Sequence, residues 1–471
     1  MKDEEPEGMP NTSEQTSSEE LYPNIVKVRN DDKPLYFAES ESKKFKLREG
    51  SEASWISSEG FSEKELREHI EPWLTSLFQS EHLSLLAGSG LTHAVHYLAA
   101  GKKAAGMERL PLTTCQDKIN AAAEVSANQA GRKTGNVEDQ LRVANELLRG
   151  LEILQDDEAA TLRGELEAGM QTFAESILKS EAGIATAPDT QREQAFNTLV
   201  TFLMSFASRI GTRDRLSIFT TNYDRLIEAG AELAGVHLLD RFLGNLMPIF
   251  RSSRLDLDMH YNPPGIRGEP RYLEGVARFT KLHGSVDWVQ TGKDIRRIGL
   301  SFGAETVDPY LKAPGLGEVT AHKLMIYPNA AKDRETADYP YVELFRDLAS
   351  AVCRPNSTLV TYGYSFGDEH INRVIRDMLT IPSTHLVVIS FDDPLKRIME
   401  TYKQIGRPSQ ISMLIGPALA DLATLTENYL PKAAIDKATF RMSELLKQRF
   451  ATQKSTPKAK DQADEDGSDQ L

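Results

Sequence analysis

The sequence predicts an α/β fold: a Rossmann-like parallel sheet with helices on both faces and an all-helical insertion. Three observations predict it. Short apolar or β-branched runs recur, each ending in small and polar residues: HLSLLAGSG, LSIFTTNYD, ARFTKLHGS, KLMIYPN, STLVTYGYSFGD and THLVVISFDDP. Helical stretches, among them residues 341–352 and 370–378, lie between several of these runs, and continuous apolar strands alternating with helices imply a parallel sheet covered on both faces. Residues 114–215 break the alternation with long stretches rich in Ala, Leu and Glu and no strand pattern.

Taken in order, the first 20 residues hold seven acids and one lysine, and residues 452–471 hold five acids and three lysines. The two tails thus carry −6 and −2 of a net charge of −14. With almost no large apolar groups, they cannot offset their ordering entropy by burial. The expectation is an acidic, largely disordered arm over 1–60, of which 21–60 is mixed in composition and partly ordered, and a disordered acidic tail over 452–471. The folded body is expected over 61–451. Leu66, Ile70, Trp73, Leu74, Leu77 and Phe78 recur at helical spacing, which predicts a helix over 62–79. HLSLLA then reads as a buried strand breaking into a glycine turn, followed by a second helix. Within the insertion, Leu199, Leu203, Phe206 and Ile210 mark one helical stripe. NVEDQL reads as a helix start with Asn136 as N-cap and acids in the first turn. Asn262-Pro263-Pro264-Gly265 marks a surface loop.

Composition excludes several classes. The chain has 471 residues, 40% hydrophobic, with no run of 18 apolar residues, which argues against a transmembrane helix. The acidic N-terminus lacks the apolar stretch of a secretory signal. Cys115 and Cys353 cannot build a four-cysteine zinc site or a disulfide framework, so a reducing cytoplasm is the expected compartment and no metal site is expected. Net acidity gives no support to direct nucleic-acid binding. The arginines at 251, 254, 267, 271 and 278 read as a solvated basic face.

Candidate site residues collect at strand ends, where open parallel sheets bind ligands. Gly88, Ser89, Gly90 and Thr92 form a glycine turn before a helix. It can bring backbone N–H groups to a phosphate, or it can serve helix–strand packing alone. Asn222, in TTNYD, can orient a water or hold a ribose hydroxyl, and Asp224 can cap the next helix. His283, in KLHGS, is placed as a general base near neutral pH. Gly363 and Ser365 could admit a phosphate or ribose, with Asp368 and His370 reading as helix-start or packing residues. Asp392 could meet ribose hydroxyls or an adenine edge, or stand in a plain turn before Pro394.

The ordered set resembles the sirtuin family. Gly88-Ser89-Gly90-Leu91-Thr92 stands where sirtuins carry Gly-Ala-Gly-x-Ser, and Thr220-Thr221-Asn222-Tyr223-Asp224 where they carry Thr-Gln-Asn-x-Asp. His283-Gly284 matches the catalytic His-Gly, and Gly363-Tyr364-Ser365 the later phosphate loop. The four zinc cysteines of the deacetylases are missing, and the combination with IYPN and GYSFGDEHIN is similar to sirtuin-like effectors of bacterial antiphage defence. The resemblance implies a sirtuin-like NAD-binding domain with a cleavage of NAD to nicotinamide and ADP-ribose, Asn222 and His283 being catalytic. Gly88, Ser89, Gly90, Thr92, Asp224, Gly363, Ser365 and Asp392 would bind the dinucleotide. It further implies NAD as substrate without zinc, a HerA-type ATPase as partner, and a homo-oligomer. Two alternatives stay open: a non-catalytic NAD- or ADP-ribose-binding regulatory subunit of an ATPase complex, and an NAD-dependent protein deacylase.

Overall fold

A computed structural model describes residues 21–432 apart from 29–30, 41–43, 57–59, 105–107, 130–133, 210–212, 254–257, 262–270, 293, 318, 320–323 and 327–338. The expected tails at 1–20 and 452–471, the 262–265 loop and the Tyr-Pro-Asn end of KLMIYPN lie outside these residues. The strands are β1 Asn24–Lys27, β2 Leu35–Glu39, β3 Phe45–Leu47, β4 His82–Ala87, β5 Ser217–Thr220, β6 His237–Leu239, β7 Phe242–Leu243, β8 Ile249–Phe250, β9 His260–Tyr261, β10 Arg271–Tyr272, β11 Val276–Lys281, β12 Gly284–Thr291, β13 Asp294–Arg297, β14 Leu324–Ile326, β15 Ser357–Tyr362, β16 His385–Ser390 and β17 Ile411–Ile415. The longer helices are α1 Glu63–Phe78, α2 Ser89–Ala100, α3 Gln116–Gln129, α4 Val137–Leu154, α5 Glu158–Ala185, α6 Asp189–Ala207, α7 Leu226–Leu233, α8 Tyr341–Val352, α9 Glu369–Leu379 and α10 Arg397–Ile405.

The main sheet runs β3-β2-β1-β17-β16-β15-β4-β5-β11-β6. From β17 to β6 every pairing is parallel. The sheet is buried on both faces, as its apolar strands require. Leu83, Leu85, Val387 and Ile389 join α1, α2 and α6 in one core, whereas Leu86, Leu386 and Val388 join α8, α9 and α10 in another. Each fully buried Leu or Ile contributes about 1.5–3 kcal/mol. Helix starts follow the sequence: Ser62 and Glu65 close a capping box on α1, and Asn136 and Asp139 close one on α4.

Two features depart from expectation. Residues 21–60 are not a largely disordered arm: β1, β2 and β3 extend the sheet antiparallel beyond β17, burying Val26, Phe37 and Phe45. The acidic average over 1–60 hides these three short strands, so the sheet is mixed rather than purely parallel. Nor is KLMIYPN a strand of the parallel sheet. β14 pairs with β12 in a five-stranded antiparallel sheet, order β14-β12-β13-β8-β7. Its hairpin turns at Gly292, with φ +60°. Val286, Val289 and Leu324 of this sheet pack in one core with Leu141, Leu166 and Phe173 of α4 and α5, so these two helices rest on a second sheet, whereas α6 packs on the main one.

The chain-order reversal of the main sheet falls at β4, flanked by β15 and β5. There the turns after β4 and β15 meet backbone to backbone. Gly90 N–H donates to the Gly363 carbonyl at 3.1 Å. A Cβ on Gly90 would stand 2.5 Å from Gly363 Cα, and Gly363 itself adopts φ +60°. Neither backbone can yield, so Gly90→Ala should cost about 3 kcal/mol or more, read as a lower denaturation midpoint in urea with unchanged slope.

Candidate active site

Beyond the carboxyl ends of β4, β5, β11 and β15 lies a cavity of about 410 Å³, a volume in the range of small-ligand sites. Gly88, Ser89, Thr92, Asn222, Asp224, His283, Gly363 and Ser365 all line it. Gly90 is not among its lining residues, and its role is the close backbone approach just described. Asp392 is exposed and also outside the lining. The end of β16 sits one strand farther from the β4 switch point, and Leu395 and Arg397 reach the cavity from that segment instead.

Asn222 is buried, and its amide is held in one orientation. Its Nδ2 donates to the Gly88 carbonyl at 2.9 Å and to Thr92 Oγ1 at 3.0 Å. A carbonyl oxygen only accepts, so the NH₂ group must face Gly88 and the amide cannot be reversed. Both amide hydrogens are thereby committed, and Oδ1 remains as an acceptor. Thr92 Oγ1 in turn donates to Asp224 Oδ2 at 2.7 Å, and the other Asp224 oxygen accepts the Leu226 N–H at 3.0 Å. Thr92 and Asp224 therefore fix Asn222 by a relay that begins at the start of α7.

His283 is held by a residue 85 positions away. Its Nε2 lies 2.8 Å from Asp368 Oδ2. Asp368 Oδ1 accepts the His370 and Ile371 N–H groups as the N-cap of α9. A carboxylate accepts and does not donate, so Nε2 carries a proton, and in the neutral ring Nδ1 carries the lone pair. The ring is flanked by Tyr223 and Phe345, with centroids 6.4 and 6.5 Å away. The sequence suggests only a helix-start or packing role for Asp368. That role is present, but spacing gives no sign of its second bond.

A helical insertion that covers the pocket is one expectation from the sequence, but the sequence assigns no site residue within it. Asn136 and Glu138, at the start of α4, and Phe173, Ser176, Ile177 and Ser180, from α5, also line the cavity. Tyr223 bridges to them: its hydroxyl donates to Glu138 Oε1 at 3.3 Å, and its ring meets Phe173 edge-on at 5.9 Å. Burial, with the Glu138 charge second, pushes the Tyr223 hydroxyl well above its ordinary pKa, so it stays protonated as a donor. His93 also lines the cavity, and its Nδ1 is buried without a partner. Burial and then Lys103 lower the pKa of that ring, which favours neutral imidazole.

Residues 216–406 match the family model described as a SIR2-like domain. The match supports a sirtuin-like fold. No curated protein matches the chain. The SIR2-like segment runs from β5 through α10 and supplies Asn222, Asp224, His283, Gly363, Ser365, Asp368 and Arg397. The glycine turn after β4 and the α4–α5 wall come from outside it and complete the same cavity. Among the described residues, no group of three or more His, Cys, Asp or Glu could hold a metal ion, and no helix is long and apolar enough to cross a membrane.

Proposed function

We propose that the chain is an NAD glycohydrolase, cleaving the nicotinamide–ribose bond to give nicotinamide and ADP-ribose. The observation that carries this reading is the convergence of the Gly88–Thr92 turn, Asn222 and His283 on one cavity. The turn opens α2, whose positive end suits a pyrophosphate, and Ser365 and Arg397 add polar groups to the lining. Nicotinamide leaves as a neutral molecule and needs no general acid. The chemistry then requires one oriented water at the anomeric carbon of an oxocarbenium-like transition state. Asn222 Oδ1 accepts one hydrogen of that water and fixes it. As the oxygen bonds to carbon, its proton passes to His283 Nδ1, and Asp368 stabilises the resulting imidazolium through Nε2–H. NAD and water thus yield nicotinamide, ADP-ribose and one proton.

The resemblance to antiphage effectors extends the proposal to NAD depletion in defence, in the cytoplasm, by a homo-oligomer assembled with a HerA-type ATPase. The assay that tests the chemistry gives purified full-length protein NAD alone, or NAD with an acetyl-lysine peptide. Equimolar nicotinamide and ADP-ribose without peptide are expected. Product only with peptide, together with loss of the acetyl group, would replace hydrolysis by deacylation, and binding without product would leave a regulatory subunit.

A further inference from the structure

The cavity holds three carboxylates from the protein, and two are already engaged. Asp224 receives Thr92 Oγ1 and the Leu226 N–H, and Asp368 receives His283 and two backbone N–H groups. Glu138 differs. Its Oε1 accepts the Tyr223 hydroxyl, while its Oε2 makes no hydrogen bond and no cation pairs with it among the described residues. It is the second residue of α4, at the positive end of that helix. The first-turn position alone would suit an acid facing solvent. This one instead lines the cavity and is tied to the tyrosine that flanks His283. A negative group from the helical insertion therefore joins the strand-end groups in one cavity, whereas the Arg397 cation comes from the wall that carries Gly367. A Cβ on that glycine would lie 2.7 Å from Arg397 Nη1.

We infer that Glu138 is a ligand-contacting, specificity-determining residue, its carboxylate selecting a dinucleotide whose pyridine ring is cationic over the same dinucleotide with a neutral, reduced ring. The inference rests on the reading that NAD occupies this cavity. It gives the helical insertion a part in substrate choice that the SIR2-like segment does not supply. An anion beside the ring favours the oxidised form and the positive charge that grows on the ribose as nicotinamide departs.

The test measures binding of NAD, NADH and ADP-ribose by calorimetry to full-length His283→Ala protein, with and without Glu138→Gln. Glutamine keeps an oxygen for Tyr223 and removes only the charge. Without the second change, NAD should bind at least about tenfold more tightly than NADH, the scale of one charge-assisted contact. Glu138→Gln should erase that preference by weakening NAD alone, leaving NADH and ADP-ribose unchanged. A preference that survives Glu138→Gln overturns the inference, as does equal weakening of all three ligands, which would mark a structural role for the start of α4. Absence of binding by any of the three overturns the NAD reading itself, and the inference with it.

Discussion

His283→Ala is expected to lower nicotinamide release from NAD by about 10²–10⁴-fold, the span of a lost general base, with little change in NAD binding. The geometry is specific about why. Asp368 fixes the proton on Nε2 and leaves Nδ1 as the base, so His283→Gln, which cannot take up a proton, should fail equally. Asn222→Ala should match the loss in turnover for a different reason, because it removes the acceptor that orients the water. It also strips a donor from the Gly88 carbonyl, so this variant should show a lowered denaturation midpoint as well. Steady-state assays of nicotinamide by chromatography, on variants whose circular dichroism matches wild type, decide the matter. Wild-type rates in both variants would remove these residues from the chemistry.

The second large effect is on stability and falls at Glu181, in α5. Arg225, the residue after Asp224, donates its backbone N–H and its guanidinium to Glu181, and the same guanidinium reaches the Leu300 and Ser301 carbonyls. Both side chains are buried, with 8% and 2% of their surface exposed. Burial pushes the Glu181 carboxyl up to about 7 against the pull of Arg225. Glu181→Ala leaves an unpaired buried guanidinium, expected to cost about 3–5 kcal/mol. Glu181→Gln should cost less, since an amide oxygen still accepts from Arg225. Urea titration of the three proteins distinguishes these outcomes, and equal midpoints would show that the insertion is not clamped to the α7 start through this pair.

The sheet around the cavity was legible because each strand end announces itself locally. Apolar runs stop at Gly88, Asn222, His283 and Gly363, and the parallel-sheet rule gathers such ends on one side. What was not legible depends on contacts distant in sequence. Nothing within PNIVKV or LYFAES reveals that they pair antiparallel with β17, since the acidic residues before them dominate the composition. The β12–β13 hairpin alternates too weakly to signal a second sheet, and without that sheet the insertion has no visible place to rest. The Asp368 bond to His283 and the reach of Glu138 toward Tyr223 arise only when the turns meet. Asp392 is the reverse case. Its strand-end setting matches the pattern, but β16 lies beyond the strands that flank the switch point.

The most direct test of the account is a crystal structure of His283→Ala with NAD, a variant expected to hold the dinucleotide uncleaved. The account predicts NAD between the Gly88–Thr92 turn and residue 283, its pyrophosphate over the glycine turn and its nicotinamide ribose beside Asn222. Dinucleotide bound elsewhere, or a cavity still vacant at saturating NAD, would contradict it.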